Sequence, residues 1–423
     1  MGREKTAYGR MQRKILPPKS SRWRCTVAGA ATFFYFSIHK LKQQIYVYAY
    51  LCAWRAVGVR KLRYFNDMMD SHFSRYLDLT RFGAALLVVL THYVQHGLLG
   101  NAPHFGREAV MLFFVLSGYV IAYTTSEKAL SLKQYVVARS ARIYSVAIPV
   151  LLLCFLLVYL VDPVVALPDT LRYQARKPYL YVPLHLLFMG ELWTLSETPP
   201  WLVQYWSLGY EVWFYVLFGV LFYLRGARRV ALGALVLLVM GYKLWLLLPV
   251  WLAGVALYRY RKPLPLTRNQ ARLGWLATIA AIGLYKVAGL DLALRALGSA
   301  LWPFASLPLG TADRYLADYV VCVLICLNFL CARHAAFTSL KPLNAPIRAL
   351  AAYTFTLYLI HGPVIGMWLL FYPHERGSAI DLLLLTLCIG MATWLVGMVT
   401  EQRKAWCQQA VQSLMLLCSR RIA

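Results

Sequence analysis

Two side chains in one apolar segment have the character of reagents rather than of lipid-facing filler: Arg81 and His92. An ionised side chain at mid-membrane costs about 2.5–3.5 kcal/mol on insertion scales, so such residues mark functional candidates. The two lie 11 residues apart. At 100° per residue they fall within roughly 20° of each other around a helix axis and about 16 Å apart along it. They cannot touch, but they can line one cavity at two depths. Asp78, Gln95 and His96 fall within about 60° of Arg81 on the same stripe, whereas Leu86, Leu87, Val88, Val89 and Leu90 are apolar. A planar guanidinium near a membrane surface suits a phosphate. A buried imidazole titrating near neutrality suits a general base. The bland alternatives are an Arg snorkelling to headgroups and a His in an interhelical hydrogen bond.

Other segments add candidates. Phe113-Phe114-Val115-Leu116-Ser117-Gly118 puts two small residues near mid-membrane, either for close helix packing or for a narrow backbone approach beside a substrate. Arg139 and Arg142 stand at i, i+3 and share a helix face, and two guanidinium forks so placed can hold a diphosphate. They also fit ordinary basic flanking of a span. Trp206-Ser207-Leu208-Gly209-Tyr210-Glu211 places an acid within an aromatic membrane segment, expected at a depth comparable to His92. A later span carries Tyr358 and His361, with Pro363 expected to kink its helix.

The elements that must position these residues follow from composition. The chain has 423 residues, 60% hydrophobic and 14% charged. A soluble domain is about 45–50% apolar and about 25% charged. Abundant aromatics exclude disorder, so lipid is the main solvent. Lys and Arg number 44 against 17 Asp and Glu, a net charge of +27. In a polytopic protein such an excess gathers in cytoplasmic loops, so no nucleic-acid partner is expected. The nine Cys form no C-x-x-C pair, and no metal is expected.

Apolar runs of near-crossing length cover 75–97, 107–125, 141–161, 204–224, 228–241, 243–259, 272–290, 314–332, 350–371 and 379–400. The shorter run 180–194, broken by His185 and Glu191, reads as re-entrant or interfacial. Basic residues concentrate in alternate gaps, which predicts ten crossings with both termini cytosolic. The expectation is an all-α polytopic membrane protein of about ten transmembrane helices around a central substrate tunnel. Residues 1–70 read as a basic cytosolic or interfacial extension, 71–402 as the transmembrane domain and 403–423 as a short cytosolic tail. The start Met1-Gly2-Arg3-Glu4-Lys5-Thr6 fits the myristoylation pattern.

In their order, Leu77-Asp78-x-x-Arg81 with Arg81-x10-His92, Phe113-Phe114-x-x-Ser117-Gly118, Arg139-x-x-Arg142, Trp206-Ser207-Leu208-x-x-Glu211-x-x-Phe214-Tyr215 and Leu357-Tyr358-Leu359-x-His361 resemble the membrane-bound acyltransferase family 3. The resemblance covers roughly 74–400. It implies an acyl-CoA-dependent O-acyltransferase of glycans and related substrates. His92 would be the catalytic His, with Arg81 as its essential partner. Arg139 and Arg142 would serve the acyl-CoA side, and Glu211 and the Phe-Phe-x-x-Ser-Gly segment belong to the shared core. Thr80 and Phe82 stand where many members have Gly, and Val212 where many have a second acid.

The function so implied is transfer of an acyl group, acetyl first among candidates, from cytosolic acetyl-CoA or another acyl-CoA to a hydroxyl at the outer side. His92, Arg81 and Glu211 form the expected catalytic set, with Glu211 able to orient His92 or raise its basicity. Arg139, Arg142, Arg81, Ser117 and Gly118 are expected around the coenzyme. Asp78, His361, Tyr358 and Trp206 are further substrate or structural candidates. The expected partners are acyl-CoA, a glycan or lipid-linked sugar acceptor and the lipid bilayer, in a plasma (bacterial inner) membrane. A transporter is the rival reading, because carriers also show a midplane polar stripe and a Pro-broken helix.

Overall fold

A long apolar segment in lipid must satisfy its backbone internally, and helix is the local solution. In the structure, a computed structural model that describes residues 71–422 except 101 and 261–263, the described residues form α-helices, short 3-10 turns and no strand. They belong to one compact unit, Met68–Ala423. The expected extension over 1–70, with its Met1-Gly2 start, lies outside the described residues.

The helices are α1 (Ser71–Gln95), α2 (Gly106–Glu127), α3 (Leu132–Val161), α4 (Asp169–Arg176), α5 (Pro178–Leu186), α6 (Trp206–Tyr223), α7 (Gly226–Met240), α8 (Tyr242–Arg259), α9 (Arg268–Val287), α10 (Leu290–Leu301), α11 (Tyr315–Ala335), α12 (Asn344–Ala351), α13 (Thr354–Phe371), α14 (Ala379–Val399) and α15 (Lys404–Ile422). Local sequence sets several starts. Ser131 and Gln134 form a capping box before α3, and Thr267 and Gln270 form another before α9.

Seven helical stretches are long and apolar enough to cross a membrane, and nine if each of two bent pairs counts as one span. The pairs are α7 with α8, bent by 116°, and α9 with α10, bent by 68°. The first break sits at Gly241 (φ 77°) and the second at Gly289 (φ 65°), both in the left-handed region that Gly enters without strain. The ten runs expected from hydropathy thus appear with 228–241 and 243–259 as two arms of one broken element. The run 180–194 is the nine-residue α5 followed by irregular chain, too short to cross. Residues 404–422 form α15, which packs against α3.

The most intimate contact in the core is the crossing of α2 and α8. A methyl group on Gly118 would collide with the Trp251 carbonyl, and one on Gly254 with the Val115 carbonyl. The two backbones meet because neither residue carries a side chain. At the start of α2, buried charges tie it to α9, α10 and α11. Glu108 pairs with Lys286 (3.4 Å) and Arg314 (3.0 Å), and both cations also reach Asp291. Arg107 grips Asp318 through two hydrogen bonds of 3.0 and 2.5 Å. With α2 so fixed, α1 packs on one side of it, and α13 and α12 pack on α1.

Candidate active site

A cavity of about 570 Å³ opens among α1, α2, α3, α6, α12, α13 and the chain from 401 into α15. Five cations line it: Arg81, Arg139, Arg142, Arg348 and Lys404. Three acids oppose them: Asp78, Glu211 and Glu401. The wall is therefore net positive, the balance an anionic ligand needs.

The i, i+3 spacing on α3 puts Arg139 and Arg142 on one face, and both reach the cavity. Arg139 Nη2 donates to Thr124 Oγ1 (3.3 Å), and its guanidinium lies 5.8 Å from the Tyr215 ring centroid. Arg142 faces Tyr215, Glu211 and Glu401. Arg81 Nη2 donates to the Ala351 carbonyl at 2.9 Å, and Asp78 stands 3.7 Å from it. Arg81 also faces Arg142. Like charges held together repel, so they are kept close only where something compensates them. Arg81 Nε and Arg139 Nε are buried without a hydrogen-bond partner. Several guanidinium groups on the wall of a net-positive cavity are donors of the kind that anionic oxygens accept from.

Deeper in the cavity, Ser117 Oγ donates to Glu211 Oε1 at 2.7 Å, and Tyr215 OH donates to the same oxygen. Trp251 Nε1 donates to Ser117 Oγ (3.3 Å). Glu211 is thus held by Ser117 and Tyr215 rather than by His92, and it looks toward Arg142. Glu401 Oε2 accepts from the Thr356 backbone N–H (3.1 Å) and from Thr356 Oγ1 (2.9 Å), which pins the chain after α14 to the first turn of α13. Ser117 lines the cavity, whereas Gly118 faces Trp251 at the helix crossing.

His92 stands apart from this cavity. Its Nδ1 lies 2.9 Å from His361 Nε2, and His361 Nδ1 lies 2.9 Å from the Leu357 carbonyl. His361 is fully buried. Neither His lines the cavity, so the expectation that Arg81 and His92 share one continuous chamber is not met. The last lining residue of α13 is Tyr358, about one turn before His361. Its OH exchanges a hydrogen bond with Ser207 Oγ (2.7 Å) and donates to the Gln204 carbonyl (3.2 Å). The Phe113 ring meets Tyr358 edge-on, centroids 5.6 Å apart. Both rings line the chamber, and the Tyr358 centroid lies 6.3 Å from that of His361. Pro363 has no N–H for the Leu359 carbonyl, and Gln204 Nε2 donates to that carbonyl instead (3.0 Å). Trp206 lies outside the cavity, with the Arg107 guanidinium 4.7 Å over its ring.

The arrangement thus brings Arg81, Arg139, Arg142, Ser117, Glu211, Asp78 and Tyr358 to one chamber. It pairs His92 with His361 at a separate place, and it gives Gly118 and Trp206 packing partners. Sequence reasoning missed Arg348, Glu401 and Lys404. Arg348 lies in one of the basic gaps between apolar runs, where a cation is ordinary. Glu401 offered a signal, as an acid directly after an apolar span. Lys404 offered none.

The acyltransferase domain model of acyltransferase family 3 matches residues 74–401, most of the chain, and the chain belongs to that family. With its long apolar helices it is an integral membrane protein and an acyl-transferring enzyme, which favours the enzyme over the carrier. No curated protein and no solved structure matches it.

Proposed function

We propose that this acyltransferase takes an acyl group, acetyl first among candidates, from a cytosolic acyl-CoA and passes it to a hydroxyl of a glycan or lipid-linked sugar at the outer face of the plasma (bacterial inner) membrane. The observation that carries the reading is the cationic chamber, where Arg81, Arg139, Arg142, Arg348 and Lys404 face only three acids. A coenzyme with a diphosphate and a further phosphate fits that donor set, and a long thin arm fits the path from Arg142 past Ser117 toward Tyr358. Arg81 near the start of α1 and Glu401 after α14 line this one chamber, so both ends of the described helices are placed on the cytosolic side, in keeping with the basic loops.

In this reading the thioester end of the donor reaches the Tyr358 ring and must pass it to meet the His pair. His92 accepts the proton of the acceptor hydroxyl. The freed oxygen forms the new ester bond to the acyl carbon, the C–S bond breaks, and the coenzyme sulfur leaves with the electron pair. The imidazolium returns the proton to that thiolate. General-base help of this kind is worth about 10²–10⁴-fold. Glu211 keeps Ser117 and Tyr215 in place and balances the guanidinium of Arg142, so its role is to shape the donor chamber.

The test uses membranes carrying wild type or His92→Ala and radiolabelled acetyl-CoA. Label in envelope material with wild type, and its loss in an equally expressed mutant, supports the reading, and the labelled fraction identifies the acceptor. Equal labelling by both removes His92 from the chemistry. No labelling with any acyl-CoA removes the proposed donor.

A further inference from the structure

We propose that His361 is a positioning residue that fixes His92 as its Nδ1–H tautomer and so leaves the lone pair on His92 Nε2. The inference rests on the reading of His92 as the general base and adds which nitrogen acts and what selects it.

The argument is one of hydrogen-bond valence. A carbonyl oxygen only accepts, so the 2.9 Å contact between His361 Nδ1 and the Leu357 carbonyl requires a proton on that nitrogen. The carbonyl lies four residues back on the same helix, so this contact is built into the register of α13. In a neutral imidazole the other nitrogen must then be an acceptor. His361 Nε2 therefore accepts, and its 2.9 Å partner, His92 Nδ1, donates. His92 Nε2 is left unprotonated.

The direction of this relay depends on His361 being neutral. The residue is 0% exposed, and its ring nitrogens meet the Leu357 carbonyl and the second imidazole, with no carboxylate beside them among the described residues. A cation there would have no counter-charge, and burial penalises it heavily. Gln204, bonded to the Leu359 carbonyl freed by Pro363, holds this stretch of α13 in place. His92 is half-buried, whereas its partner is sealed. A carboxylate could orient a base in the same way, but it would bring a net charge into an apolar layer. A neutral imidazole does not.

The test compares His361→Gln, His361→Asn and His361→Leu with wild type and His92→Ala. All are expressed as the full chain in membranes and assayed with radiolabelled acetyl-CoA for apparent kcat and KM. Gln places its amide oxygen near the position of the lost Nε2, Asn carries the same amide but falls short of His92, and Leu offers no acceptor. Gln is expected to keep kcat within about 10-fold of wild type. Asn and Leu should lose about 100-fold or more, with KM for acetyl-CoA within about 3-fold in all three, because the donor chamber is untouched. Wild-type turnover in His361→Leu, or equal kcat in Gln and Asn, overturns the positioning role while leaving the base in place, provided His92→Ala is inactive. An active His92→Ala variant overturns the base and with it this inference. A common rise in KM across the three variants would mark His361 as structural and also overturns it.

Discussion

Arg142 offers the sharpest test of the donor chamber. It faces Glu211, Glu401 and Tyr215 across a cavity whose other cations are spread around the wall. Replacing it by Ala removes one guanidinium fork from the proposed phosphate. A hydrogen bond to a charged group is worth about 1.5–3 kcal/mol. At 1.36 kcal/mol per tenfold, one such bond amounts to roughly a 10- to 150-fold rise in KM for acetyl-CoA. Lys keeps the charge but loses the fork, so Arg142→Lys should fall between wild type and Ala. The control is a second donor, acetyl-pantetheine, with the thioester and arm but no phosphate. Its KM should be the same in wild type and both variants, since the group removed never met it. Initial rates of label transfer from each donor, in membranes with matched protein levels, give the comparison. A loss of equal size with both donors would mean that Arg142 supports the fold or the chemistry and not the phosphates. No loss with acetyl-CoA would remove Arg142 from the site.

The remaining expectations concern this chamber and the frame around it. Lys404 is exposed at the cavity rim on α15, where an ion contact is worth about 0.2–1 kcal/mol. Lys404→Ala should therefore raise KM for acetyl-CoA only about 1.5- to 5-fold and leave acetyl-pantetheine unchanged, by the same assay. Lys243 is 0% exposed and 3.1 Å from Glu191, and Thr311 also donates to that carboxylate at 2.7 Å. Lys243→Met strands a buried carboxylate and should cost about 3–5 kcal/mol, most of it recovered in Lys243→Met with Glu191→Gln. Thermal unfolding of the detergent-purified single and double variants reads this, and equal melting points would remove the ion pair from the stability of the fold. Gly118→Ala and Gly254→Ala should abolish monodisperse protein on size-exclusion chromatography, because the new methyl group meets backbone. Gly83→Ala, with nothing within 4 Å, should behave as wild type.

Hydropathy read this chain well where an element is one straight apolar run. The runs beginning near 75, 107, 141, 204, 314, 350 and 379 all lie in helices long enough to cross a bilayer. It read less well at Gly241 and Gly289. Mean hydropathy records what the chain is made of, not where it points, and a Gly at positive φ redirects a helix without altering the composition on either side. For the same reason 404–422 looked like a tail. Its polar and basic residues dilute the apolar signal, yet it packs as α15 against α3 and adds Lys404 to the cavity rim.

The site divides along the same line. Arg81, Arg139, Arg142, Glu211 and Ser117 were legible because each is a polar group where lipid forbids an idle one, and the structure gathers them around one chamber. The separation of His92 from that chamber was not legible. A helical wheel correctly puts Arg81 and His92 on one face of α1, but a face changes neighbours along its length. Near Arg81 it meets the Ala351 carbonyl at the end of α12, and near His92 it meets His361 on α13. His92 and His361 are 269 residues apart in sequence, so no local spacing could pair them. The family resemblance named both without relating them. What relates them is the Leu357 carbonyl, which fixes one proton and thereby the next. A base assigned from sequence is thus a residue type at a depth. Which of its nitrogens can act is decided by a partner on a different helix.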